Sequence, residues 1–135
     1  MGKERVRRRA GLVTLDAGAL LAFERNDRSV RDRIYLALAD GWRVKVPAGA
    51  LAQVWRDRRR QVRLARLLGE DGVTVADLTE DAAKASGELC GRTATSDVID
   101  ASVVVCARGQ RSSTVLTSDP SDIARLDSTL DVQRV

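Results

Sequence analysis

Asp16, Asp97, Asp100 and Asp119 are the residues of this chain best equipped for chemistry. Asp16 follows the apolar run Leu12-Val13-Thr14-Leu15, and Asp119 follows Val115-Leu116-Thr117-Ser118. If both runs are strands of one parallel sheet, the two carboxylates emerge on the same edge. Asp97 and Asp100, three residues apart, share one face at the start of a helix, where the positive end of the helix dipole favours acids. Taken singly, Asp97 and Asp119 also read as helix caps and Asp100 as a solvated first-turn residue. Asp100 resists that reading because it is set in Val98-Ile99-Asp100-Ala101-Ser102-Val103, and an acid on a buried helix needs a cation or strong hydrogen bonds. Together the acids suit a hard divalent cation, Mg2+ or Mn2+, which takes oxygen ligands and shares them with substrate phosphates. In phosphodiester hydrolysis such an ion lowers the pKa of a bound water, aligns it for in-line attack and neutralises charge on the phosphoryl oxygens; a second ion could stabilise the leaving oxygen.

Composition narrows the alternatives. The chain has no histidine, which removes Ser-His-Asp and Cys-His nucleophiles and every zinc site built on imidazole. Cys90 and Cys106 lack a CxxC partner and read as reduced, buried small residues. At 135 residues one compact domain is expected, and with aromatics at 3% its core must be aliphatic. No apolar stretch reaches membrane-span length, and the arginine-rich start is followed by charged sequence rather than a secretory core, so the expectation is a cytoplasmic protein with no membrane partner. A net charge of +4 favours a polyanionic partner.

The elements that must position the acids alternate. Leu12–Leu15 reads as a strand and Ala17–Arg25 as a helix. Ser29 can cap a second helix through Leu38, stopped by Asp40-Gly41, and Trp42–Val46 resumes as a strand. Pro47 suits the first turn of a helix that runs on into an arginine-laden segment, Arg56 to Leu68, with Val62, Leu64, Ala65, Leu67 and Leu68 as its apolar positions. Val73–Val75 is a third strand, and Thr79 caps a helix ending near Gly91. Ser96 can cap the helix carrying Asp100, which is apolar or small on nearly every face and therefore deeply buried, although Val103-Val104-Val105 favours a strand. Thr114–Thr117 is a strand, Asp119-Pro120 opens a short helix through Leu126, and Asp131–Val135 is a last strand. This alternation predicts a parallel sheet with helices on both faces and a ligand crevice beyond the carboxyl ends of the strands.

Leu15-Asp16-Ala17-Gly18-Ala19-Leu20-Leu21-Ala22, Ser96-Asp97-Val98-Ile99-Asp100-Ala101 and Leu116-Thr117-Ser118-Asp119 together resemble the PIN-domain family, in particular VapC-type toxins, in order and spacing over almost the whole chain. The resemblance implies a three-layer α/β/α sandwich around a mainly parallel sheet, formed by residues 11–135 as a single domain behind a basic N-terminal arm, residues 1–10. It also implies an Mg2+ or Mn2+ site at Asp16, Asp100 and Asp119, endoribonuclease activity, homodimers and a cognate VapB-like antitoxin. One position departs from the family: in Pro47-Ala48-Gly49-Ala50-Leu51-Ala52-Gln53, Gln53 stands where a metal-proximal glutamate is usual. Its amide can still accept a hydrogen bond, orienting a ligand, or ligate weakly through its carbonyl oxygen, but it brings no charge, and Asp97 would have to compensate.

Arg56, Arg59, Arg60 and Arg63 belong to a dense basic run able to engage several phosphates. The same run reads as a solvated face whose stems cover apolar surface, or as a dock for an acidic antitoxin tail. Trp42, Trp55, Tyr35 and Phe23 are too scattered for a base-stacking platform and read as packing residues. Ser118 reads either as a phosphate or Asp119 contact or as a local turn residue. Glu24 lies roughly 12 Å along its helix from Asp16 and points away, and Glu88, Asp122 and Asp127 read as solvated. The leading reading is a metal-dependent endoribonuclease. The alternative is a degenerate module of the same fold that binds RNA or an antitoxin without cutting. A receiver-like phosphoacceptor would need an acidic pair after the first strand and a late lysine, and the chain has neither.

Overall fold

The computed structural model describes residues 10–135, so the expected basic arm lies, but for Ala10, outside the described residues. In chain order the elements are β1 (Leu12–Leu15), α1 (Ala17–Glu24), α2 (Arg28–Ala39), β2 (Arg43–Pro47), α3 (Ala48–Val54), α4 (Val62–Leu68), β3 (Val73–Ala76), α5 (Glu80–Thr93), α6 (Val98–Ala107), β4 (Ser113–Thr117), α7 (Pro120–Leu126) and β5 (Asp131–Arg134). The strands form one sheet in the order β3-β2-β1-β4-β5, parallel throughout. Growth from β1 to β2 to β3 runs one way; β4 and β5 then add on the other side of β1. Right-handed crossovers in opposite directions put their helices on opposite faces. The packing follows: α1 touches α2 and α4, while α6 touches α5 and α7. The predicted α/β/α sandwich is therefore observed, and α3, which touches both α1 and α6, sits where the layers meet.

β1 is buried at every position, as a central parallel strand covered on both faces must be. Against it packs α6, whose Ala101, Val103, Val104 and Ala107 are fully or nearly fully buried; three successive valines do not prevent a helix when both of its sides are covered. Among the described residues no helix is long and apolar enough to cross a membrane. Both cysteines are free, Cys90 buried and Cys106 half-buried.

Three local expectations need correction. Asp27, not Ser29, caps α2: its Oδ1 accepts the Val30 N–H at 3.0 Å, a carboxylate placed three residues ahead of an amide it can reach. Asp97, not Ser96, caps α6 by accepting the Asp100 N–H at 3.0 Å. The helix expected to run from Pro47 into the arginine segment is broken. Residues 55–61 form a loop held by the buried side chain of Gln61, whose Oε1 accepts from the backbone N–H groups of Arg56 (2.8 Å) and Asp57 (3.1 Å) and whose Nε2 donates to the Val54 carbonyl (2.9 Å). One amide thus satisfies the end of α3 and the loop after it. Beyond the break α4 buries only Leu64 and Leu67, and Val62 is 47% exposed.

Gln61→Ala is expected to cost about 2–3 kcal/mol, because it strands buried backbone groups in addition to losing bonds. Urea denaturation measures this; an unchanged midpoint would remove Gln61 as the pin of this loop.

Candidate active site

The order of strands reverses between β1 and β4, and the crevice at their carboxyl ends is where an open parallel sheet binds ligands. Asp16 and Asp119 leave the sheet there. The Asp16 N–H donates to the Leu116 carbonyl at 3.2 Å, extending the pairing of the two strands by one residue. The Asp16 side chain is buried and caps α1, its Oδ1 accepting the Ala19 N–H at 2.9 Å. The fully buried Thr117 joins the acids: its hydroxyl hydrogen-bonds the Asp16 carboxylate while its Oγ1 accepts the Asp119 N–H at 2.9 Å. Gly18 is required here by close approach. A Cβ on it would lie 2.5 Å from the Ser118 Cβ and 3.1 Å from the Ser118 backbone nitrogen, so any side chain would drive the loop bearing Asp119 away from α1.

The carboxylates stand in one another's field. Burial pushes Asp16 above the usual carboxylate range, and the charge of Asp119 adds to this, against the lowering effect of bonds from Thr117, Ala19 and Gly18. Asp100 is pushed up to about 7, by burial first, then by the charge of Asp97 and the hydrogen bond shared with it, then by the charges of Asp16 and Asp122. Asp122 is also raised, by its hydrogen bond to Asp119 and by that residue's charge, with Arg125 pulling the other way. Asp119 occupies the N-cap position of α7, but its side chain caps no amide. Its carboxylate faces the other acids instead.

Asp97, Asp100 and Asp122 line a common cleft of about 150 Å3 with Thr95, Arg125 and Leu126, beside Asp16 and Asp119. The four acids singled out from the sequence are thus brought together, and Asp122 joins them. Asp122 read as solvated because it sits outside any strand-end motif; its place three residues after Asp119, on the first turn of a helix, was the available signal. Asp127 needs the same correction in another place: it pairs with Arg108 at 2.7 Å, its side chain only 8% exposed, away from the cleft. Glu24 does point away, accepting the Leu64 N–H at 2.8 Å. Gln53 is exposed on α3, whose neighbours α1 and α6 begin at Asp16 and Asp97. The Ser118 side chain lies over Gly18 and its carbonyl accepts from Arg134 at 3.1 Å.

The expected RNA-binding arginines separate. Arg56, Arg59 and Arg60 are exposed on the loop, Arg56 spending its guanidinium on the Ala52 and Trp55 carbonyls, whereas Arg63 lies beyond the break on α4.

The donor set fits a hard divalent cation in its chemistry: oxygen ligands in excess negative charge, two of them raised by burial first and by their neighbours' charges in addition, with Arg125 the one cation lining the cleft. Among the described residues, however, no three side chains already converge as a closed cage for one ion.

No protein-family model matches the chain, and no curated protein matches it. Among solved structures the chain is similar to VapBC2 from Rickettsia felis bound to a DNA fragment from their promoter, with a TM-score of 0.67 and 14% identity over 92% of this chain and 98% of that one. At that identity the likeness is one of fold alone, and it bears out the expected PIN-like α/β fold around a parallel sheet.

Without metal, a carboxyl group whose folded-state pKa is raised binds its proton more tightly folded than unfolded, so it weakens folding progressively as pH rises from about 4 to about 7. Asp100→Asn is therefore expected to raise the thermal midpoint by a few degrees at pH 8 in EDTA and to leave it unchanged near pH 3. An equal midpoint at pH 8 would show that Asp100 is not under the strain of its neighbours.

Proposed function

We propose that this chain is a metal-dependent endoribonuclease, the toxin of a cytoplasmic toxin-antitoxin pair. The observation that carries the reading is the gathering of Asp16, Asp97, Asp100 and Asp119 at the β1/β4 switch, where Asp16 and Asp100 are both raised, by burial first and then by neighbouring carboxylate charge. Perturbed carboxylates gathered in a crevice are the mark of a site built for charge rather than for stability. Asp16, Asp100 and Asp119 would hold Mg2+ or Mn2+, with Asp97 and Asp122 adjoining. When bound, the ion supplies an activated water and neutralises charge on the phosphoryl oxygens. The chain's own groups do the rest. Thr117 fixes Asp16 and the Asp119 backbone relative to each other, Asp97 holds the first turn of α6 so that Asp100 faces the cleft, and Ser118 and Gly18 keep the two loops in contact. Arg56, Arg59, Arg60 and Arg63 would hold RNA phosphates outside the cleft, and Gln53 would act from a second shell.

Residues 11–135 form the PIN-like domain of this proposal, with residues 1–10 as its basic arm and a homodimer as its assembly. The VapBC2 structure is that of a pair on promoter DNA, which supports a VapB-like antitoxin as partner here. A second reading, a module that binds RNA without cutting it, is favoured by Gln53 and by the absence, among the described residues, of a closed cage.

Purified, antitoxin-free protein is expected to cut total cellular RNA with Mg2+ or Mn2+ and not with EDTA. Asp16→Asn, Asp100→Asn and Asp119→Asn should each lower the rate at least about a hundredfold while the protein stays folded, as loss of an electrostatic group in a reacting site does. RNA retention without cutting under any metal would favour the binding module, and undiminished cutting in all three variants would displace the site.

A further inference from the structure

At the opposite end of α1 from Asp16, roughly 12 Å away at the usual rise per residue, lies a recess of about 200 Å3 lined by Phe23, Asn26, Arg31, Tyr35, Arg63 and Arg66. Its guanidinium groups come from different elements, Arg31 from α2 and Arg63 and Arg66 from α4. None of the six residues is acidic; of the acids next to them in sequence, Glu24 accepts the Leu64 N–H, Asp27 caps α2, and Asp32 is exposed and outside the lining. Among the described residues none of these three arginines forms an ion pair. Arg31 donates to the Asn26 side-chain oxygen at 2.6 Å and Arg63 to the Glu24 carbonyl at 3.4 Å, which orients both without neutralising them. Asn26 itself is held with φ 66. Tyr35 is 40% exposed and rests against the buried Phe23, with ring centroids 6.0 Å apart, so the inner aromatic supports the outer one and leaves part of its ring to solvent.

We infer that this recess is a second nucleic-acid subsite, which grips a single-stranded RNA segment a few nucleotides from the bond being cut: the arginines take phosphates, Tyr35 stacks a base, and the Asn26 amide meets a base edge. The inference rests on the ribonuclease reading for the identity of the polymer. Charge alone would accept any polyanion. A stacking ring and an amide beside three unpaired guanidinium groups suit a nucleotide better than an acidic peptide, whose side chains have no face to stack. The placement also explains why the loop arginines need not be the main RNA platform: a strand leaving the carboxylate cleft along α1 reaches the recess at the far end of that helix.

Binding of a fluorescein-labelled RNA decamer of mixed sequence, followed by anisotropy in EDTA with the full chain, tests this apart from cleavage. Arg31→Ala/Arg66→Ala is expected to weaken binding by about tenfold or more and to flatten the salt dependence by roughly 1.4 in slope, two single-strand phosphate contacts. Tyr35→Ala should weaken it about tenfold while Tyr35→Phe keeps wild-type affinity, since a ring stacks without its hydroxyl; circular dichroism confirms that each variant is folded. Arg59→Ala, on the loop, should have a smaller effect than either. Unchanged affinity in the double variant overturns the subsite. So does a poly-glutamate peptide that displaces the decamer at matched charge concentration and loses its own affinity in the same variants, because the recess would then serve an acidic protein segment. Binding that depends on these residues in a chain that never cuts RNA would sink the nuclease reading and leave the subsite standing.

Discussion

The pairing of β1 with β4 is the constraint on which the molecule depends. These strands are neighbours in the sheet although most of the chain separates them, and their ladder continues into the site through the bond from the Asp16 N–H to Leu116. Every acid of the cleft is referred to that ladder. Asp16 leaves its end, Thr117 closes it, Asp119 hangs on the Thr117 hydroxyl, and α6, bearing Asp97 and Asp100, packs across β1, β2 and β4. Loop closure over this separation is costly, and buried strands repay it: Leu12, Leu15, Val115 and Leu116 are all nearly inaccessible to water.

Holding five carboxylates together works against folding, and the fold meets that cost with dipoles rather than cations. Asp16 and Asp97 each accept an amide at a helix start, and Asp100 and Asp122 sit in first turns. Helix N-termini lower the energy of the charged forms without filling the space where a cation would bind. A lysine or arginine inserted among the acids would stabilise the protein more simply, and it would also occupy the cleft. Among the lining residues Arg125 alone approaches, at one side, through Asp122.

The sheet was legible because β1 and β4 are short, largely apolar runs that lead into the turns bearing Asp16 and Asp119, and because alternation with helices leaves few parallel topologies open. The acids at the ends of β1 and β4 followed from the same reading. What escaped depends on side chains that act at a distance of several residues. The break at residues 55–61 rests on one glutamine whose amide reaches back to Val54, and no apolar period records that. Asp27 and Asp97 displaced neighbouring serines as caps, a competition between adjacent residues that composition does not decide. Asp122 joins the cluster through Asp119, whose carboxylate caps no amide of α7 and meets Asp122 instead.

The break after α3 also redistributes positive charge. As one continuous helix, the segment from Arg56 to Arg66 would gather Arg56, Arg59, Arg60, Arg63 and Arg66 on one face, at the i, i+3, i+4, i+7 spacing of neighbours on a helix. With Gln61 pinning a turn, Arg56, Arg59 and Arg60 move onto an exposed loop while Arg63 and Arg66 swing toward α2 and meet Arg31. The chain thereby keeps its basic groups near the acidic cleft but out of it. The arginines give the surface an attraction for polyanions, while the cleft itself stays rich in carboxylates, with Arg125 its one lining cation. Separation of the two charges along α1 is what allows both to remain unneutralised in a protein of net charge +4.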